Sequence, residues 1–137
     1  MKRSAKAVWK GTVKDGSGVL TTQSTTLNDT QYSFKSRFEE GVGTNPEELL
    51  AAAHAGCFTM KTSALLTEAN YTPESLEADC KISLVEGKIT LSELTLSAKI
   101  PGISEEDFRK IAQEAKENCP VSHAFSFEKS LTATLVS

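Results

Sequence analysis

The sequence predicts an α+β fold: strands that pair with their neighbours in sequence, and two helices long enough to form a central layer. Three observations carry this. Residues 5–38 break into short β-branched or aromatic runs separated by turn residues, the signature of antiparallel hairpins. Residues 44–60 open with a helix start and continue almost without charge, as an interior helix does. A second helical pattern after Ser104 follows another alternating pair of strands, giving the order βββ-α-ββ-α-β and a largely antiparallel sheet.

Taken in order, residues 5–13 read as a strand, Asp15-Gly16-Ser17-Gly18 as its turn, and residues 19–25 as a second strand. Asn28-Asp29 marks the next turn. Residues 31–38 read as a third strand, with Tyr32, Phe34 and Phe38 on one face and Arg37 on the other. Asn45 is the expected cap of the first long helix, because its side-chain oxygen can accept a free N–H of the opening turn. Pro46 suits the first helical position, and Glu47 and Glu48 complement the helix dipole. Ala51, Ala52, Ala53, Ala55 and Gly56 would let another element approach closely. The helix is expected to end near Ala69-Asn70, before the breaker Tyr71-Thr72-Pro73.

Leu76, Ala78, Cys80, Ile82 and Leu84 alternate with polar residues, which predicts a half-buried strand. Glu86-Gly87 makes the hairpin turn, and residues 88–100 return. Their apolar phase changes from odd (Ile89, Leu91) to even (Leu94, Leu96, Ala98, Ile100), which calls for a β-bulge, placed near Ser92-Glu93. Ser104 begins a capping-box-like start. Phe108, Ile111, Ala112, Ala115 and Cys119 then share one helical face, and Pro120 stops the helix. A strand over 125–136 completes the chain.

The 137 residues suit one domain with a real core, residues 1–137, and 39% hydrophobic with 24% charged residues suits a globular protein. A net charge of −3 with no basic run argues against nucleic acid or an anionic membrane as partner. No secretory leader is evident, and no apolar run reads as a membrane span, so the cytoplasm is the expected location. Three cysteines are too few and too scattered for a secreted disulfide framework. The first helix is too apolar for one small chain to cover, so an obligate dimer that buries it is expected.

Cys57 lies in the middle of that helix, and Cys119 at the end of the other, on its core face. The two sulfurs lie on faces that allow an approach to disulfide distance. From the residues alone, plain core packing is the stronger reading of each thiol. His54 precedes Cys57 by three residues and His123 follows Cys119 by four, so a Cys₂His₂ zinc site or a cysteine–histidine pair also stays open. A backbone carbonyl is the simplest partner for His54. Glu47 is ten residues from Cys57, roughly 15 Å along a helix, so the two cannot touch within one helix. Either Arg37 bridges them or one of them comes from a second subunit.

Thr44-Asn-Pro-Glu-Glu-Leu-Leu, Ala-Ala-His-Ala-Gly-Cys-Phe58 and Asn118-Cys-Pro-Val-Ser122 resemble the OsmC/Ohr family of thiol peroxidases across essentially the whole chain. Arg37-Phe-Glu and Trp9-Lys-Gly are similar to its OsmC branch. The resemblance implies an OsmC-like intertwined homodimer with two central helices, and a peroxidase that reduces organic hydroperoxides to alcohols. It implies Cys57 as the peroxidatic cysteine, Cys119 as the resolving one, Arg37 against the thiolate and Glu47 orienting Arg37. It implies no cofactor and no metal, and a dithiol reductant such as a lipoylated protein. Cys80 and His123 match no functional position of the family. The chemistry is consistent: burial alone raises a thiol's pKa, so Cys57 needs a cation, which in a dry site lowers it again. Phe38, Phe58 and Met60 are candidate lining for an apolar substrate pocket.

Overall fold

A computed structural model describes all residues 1–137, which fall into two units, residues 1–49 and 50–137. The first unit holds an antiparallel sheet in the order β1-β2-β3, formed by β1 (Ala5–Lys10), β2 (Ser17–Thr22) and β3 (Thr30–Tyr32). Gly18 of β2 pairs with Trp9 on one side and Tyr32 on the other. The two rings close over it, 5.3 Å between centroids, and a Cβ at Gly18 would fall 2.5–2.6 Å from their carbons. Only glycine leaves room for that aromatic bridge.

The third strand is shorter than its aromatic alternation suggests. It ends at Tyr32, and residues Phe34–Phe38 form a helical turn, α1. A capping box decides this: the Ser33 hydroxyl accepts from the Ser36 N–H, and the Ser36 hydroxyl accepts from the Ser33 N–H. Phe34 and Phe38, four apart, then stack on one helical face at 4.9 Å instead of alternating on a strand. Arg37 therefore projects from a helix, not from the back of a strand. Ser36 and Asn45 tie this turn to the next helix, the Ser36 hydroxyl donating to the Thr44 carbonyl and the Asn45 amide to the Ser36 carbonyl.

Helix α2 (Pro46–Glu68) starts where expected, with the Asn45 side-chain oxygen accepting the Glu48 N–H at 2.8 Å. Asn70, in the left-handed region (φ 65), ends it, and the Tyr71 N–H returns to the Leu66 carbonyl. At 23 residues and a mean hydropathy of 1.2 over 18 residues, α2 does reach the length and composition of a membrane span, contrary to the expectation from sequence. Core helices of soluble proteins pass the same test. Only His54, Phe58, Thr62 and Leu66, one residue per turn, are buried. The helix is thus not enclosed by its own chain as its composition suggests.

In the second unit, β4 (Ser75–Val85) and β5 (Lys88–Lys99) form a hairpin whose turn places both Glu86 and Gly87 at positive φ. The register shifts at Ser83/Leu84, leaving Thr90 as the extra residue. The bulge therefore precedes the position read from sequence by two residues, and Ser92 already belongs to the buried even face with Leu94, Leu96 and Ala98. Helix α3 (Glu105–Asn118) begins at Ser104, whose hydroxyl accepts the Asp107 N–H. Pro120 stops α3 but also opens a further turn, α4 (Pro120–Ala124), because proline is favoured at a first helical position. The last strand, β6 (Glu128–Leu135), is shorter than expected and pairs with β5 in parallel, so the β4-β5-β6 sheet is mixed. Phe58 and Leu66 of α2, Leu94, Leu96 and Ala98 of β5, and Phe108, Ala112 and Ala115 of α3 form the core, with Cys119 fully buried among them.

Candidate active site

The four residues singled out from sequence assemble as two pairs, one in each unit. In the first, Arg37 of α1 grips Glu47 in the first turn of α2. Nη2 donates to Oε1 at 2.8 Å, and Nε donates to Oε1 at 3.1 Å and Oε2 at 3.3 Å. A forked contact of this kind fixes the plane of the guanidinium. Glu47 is mostly covered, whereas the Arg37 side chain is 40% exposed, so the arginine is oriented but not consumed. Beside it, Trp9, Val13, Tyr32, Phe34, Phe38 and Pro46 line an apolar cleft of about 240 Å³. Of the three expected pocket residues only Phe38 lines this cleft. Phe58 is core and Met60 is exposed.

The second pair is Cys57 and Cys119. Both are free thiols, Cys57 half-buried on α2 and Cys119 buried at the junction of α3 and α4. Cys119 belongs to the buried core cluster and Cys57 packs against it, near enough for the two thiols to influence each other's ionisation. Burial pushes the Cys57 pKa up; the Val121 backbone N–H opposes this, neighbouring Cys119 reinforces it, and Lys61 opposes it weakly. Within its own unit Cys57 is therefore a protonated thiol at neutral pH, and its activation needs a further cation.

A third group was missed by sequence reasoning. His54 is fully buried, and its partners are not a backbone carbonyl but two hydroxyls. Nδ1 is 2.7 Å from Ser92 Oγ, and Nε2 is 2.7 Å from Ser122 Oγ. Ser122 Oγ lies 3.1 Å from Cys119 Sγ, and Ser92 Oγ lies 3.2 Å from Cys80 Sγ. The signal available was a polar residue, Ser92, on the buried phase of a strand, beside the phase change that reads as a bulge. With both ring nitrogens engaged, His54 does not join a zinc site, and no three His, Cys, Asp or Glu side chains converge as one. His123 is exposed.

A small α+β fold with a thiol on a central helix facing a second thiol at the end of another defines a two-cysteine thiol protein. Residues 39–134 match the family described as OsmC-like protein. The chain belongs to that family. It is 40% identical to peroxiredoxin OsmC of Escherichia coli (strain K12) over 98% of this chain and 97% of that one. It is 31% identical to an organic hydroperoxide resistance protein of Xanthomonas axonopodis pv. citri, over 69% of this chain and 68% of that one. The crystal structure of an OsmC-like protein from Mycoplasma pneumoniae superposes with a TM-score of 0.77 at 16% identity, covering 100% of this chain and 99% of that one. This likeness shows the OsmC-like fold.

Proposed function

We propose that the protein is a peroxidase that reduces organic hydroperoxides to alcohols through Cys57 and Cys119. The observation that carries this reading is the adjacency of two free thiols at the junction of two helices, in a chain whose relatives are named for peroxiredoxin and organic hydroperoxide resistance. The Cys57 thiolate attacks the terminal peroxide oxygen. The O–O bond breaks, the alkoxide takes a proton and leaves as alcohol, and Cys57 becomes a sulfenic acid. The Cys119 thiol displaces its hydroxyl as water, forming the Cys57–Cys119 disulfide. A dithiol, for example a lipoylated protein, reduces the disulfide by exchange.

In this reading Arg37, held by Glu47, supplies Cys57 with a cation beyond the weak influence of Lys61, and the apolar cleft at Phe38 and Trp9 suits the organic portion of the peroxide. The whole chain, residues 1–137, serves as one functional domain in the cytoplasm. It works as a homodimer: the exposed Ala52, Ala53 and Gly56 present a side-chain-poor face of α2 to a second copy, with open space around a Cβ at Gly56 beyond its own helical backbone.

The test is mass spectrometry of non-reduced peptides after one equivalent of an aryl hydroperoxide. A Cys57–Cys119 disulfide and the loss of two of the three thiols per chain are expected; Cys57 and Cys119 both still titratable would sink the reading. Arg37→Ala should slow thiol oxidation about 100-fold, the loss expected when one preorganised charge is removed, and shift the rise of rate with pH upward. An unchanged rate would remove Arg37 from the site.

A further inference from the structure

We propose that Cys119 is deprotonated for disulfide formation through a buried relay, Ser122 to His54, with Ser92 fixing the far side of the ring. The proposal rests on the peroxidase reading and assigns roles that reading does not use. His54, Ser92, Ser122 and Cys119 are each buried, at 2% exposure or less. An apolar core at this position would cost nothing in desolvation, whereas buried polar groups must all find partners. Here they do, in one line: Cys119 Sγ, Ser122 Oγ, His54 Nε2, then Nδ1, Ser92 Oγ and Cys80 Sγ, with Cys80 Sγ also 3.9 Å from Nδ1.

A neutral imidazole has one N–H and one lone pair, and each serine has one proton to give, so such a line has a direction. In one direction Cys119 S–H donates to Ser122, Ser122 O–H to Nε2, and Nδ1–H to Ser92. The resolving proton then has a ready path. As Cys119 attacks, its proton passes to Ser122 while the Ser122 proton passes to Nε2. The Cys119 sulfur forms a bond to Cys57 Sγ, and the S–O bond of the sulfenic acid breaks with hydroxide leaving. The proton held on His54 leaves again through Ser122, which borders an open depression lined by Lys116, Glu117, His123, Phe125 and Lys129. The sum is one sulfenic acid and one thiol giving one disulfide and one water.

The imidazolium is short-lived by construction. The titratable groups facing the ring are Lys129 of β6, Cys80 of β4 and, through Ser122, Cys119, while the Phe125 ring packs edge-on at 5.0 Å. None is an anion that would trap the proton. His54 does not touch the reacting sulfurs in this scheme; it is a positioning residue that acts through Ser122.

The experiment follows two steps separately in the full-length protein, by rapid mixing with an aryl hydroperoxide and mass-spectrometric quench. Sulfenic acid at Cys57 reports the first step, and the Cys57–Cys119 disulfide the second. Ser122→Ala and His54→Gln are expected to slow the second step about 100-fold, the lower end of what a positioned proton acceptor supplies. Ser122→Thr, which keeps the hydroxyl, should restore it. In Ser122→Ala the second step should also become steeply pH-dependent, because free hydroxide then removes the proton. Wild-type rates and pH profile in both variants would overturn the relay, as would equal slowing of both steps with lowered melting temperatures, which marks a structural role alone. No sulfenic acid in the wild type would overturn the peroxidase reading and the relay with it.

Discussion

Helices α2 and α3 solve the same problem in opposite ways. α3 carries one apolar face, and Phe108, Ala112 and Ala115 on it are buried by the chain's own sheet and neighbouring helix. α2 is apolar nearly all round its middle, yet the chain buries one residue per turn, and two of those four, His54 and Thr62, are polar. Thr62 returns its hydroxyl to the Phe58 carbonyl, and His54 uses two serines. The contrast teaches that composition reports how much cover a helix requires, not who provides it. It also separates the thiols: Cys57 sits on the helix whose chain leaves it partly uncovered, and Cys119 caps the helix that is already closed.

The largest effects should come from exchanging the two thiols. Cys57→Ser should abolish turnover with hydroperoxide and dithiol. Cys119→Ser should retain a single attack and then accumulate sulfinic and sulfonic acid at Cys57, read by intact mass. If Cys119→Ser resisted over-oxidation and still turned over, the division of labour between the helices would be wrong.

Core truncations come next. Phe58→Ala on α2 and Phe108→Ala on α3 both empty a fully buried site and should each cost about 3–5 kcal/mol in denaturant titrations. A much smaller cost at Phe58 would mean that α2 is held chiefly by a partner. On the outer face a Cβ at Gly56 finds open space, so Gly56→Leu should leave the fold intact while splitting the proposed dimer in sedimentation experiments. A dimer unchanged by Gly56→Leu would place the interface elsewhere.

The smallest effects concern caps and protons. Ser104→Ala removes the α3 cap and should cost about 1 kcal/mol. His54 sharpens the comparison by pH. Burial, then Lys129, hold its folded-state pKa below the ordinary value. The unfolded chain therefore takes up its proton first as pH falls. Stability from this residue is complete above about pH 6.5 and is lost progressively as pH falls from there through the lower folded value. His54→Gln should flatten that part of the melting profile against pH; an unchanged profile would mean that His54 is not the group responsible.

Much of the fold was legible because it is local. Asn45 and Ser104 announce their helices through a side chain that reaches only three residues ahead, and Gly87 announces its hairpin through a positive φ that glycine tolerates best. Errors arose where two local rules compete. Tyr32, Phe34 and Phe38 satisfy strand alternation, but the Ser33–Ser36 capping box wins, and with it Arg37 moves onto a helix next to Glu47. Pro120 both ends one helix and begins another.

By itself the sequence determined the α+β class, the helix starts and the apolar character of α2, and by resemblance it pointed to four candidate residues, Arg37, Glu47, Cys57 and Cys119. Only the tertiary structure decided what those residues meet: the fork between Arg37 and Glu47, the burial that raises the Cys57 thiol, and the line from Cys80 through Ser92, His54 and Ser122 to Cys119. The reason is distance along the chain. His54 lies 38 residues from Ser92 and 68 from Ser122, and such partners come together only when sheet and helices pack, since no local pattern records the contact.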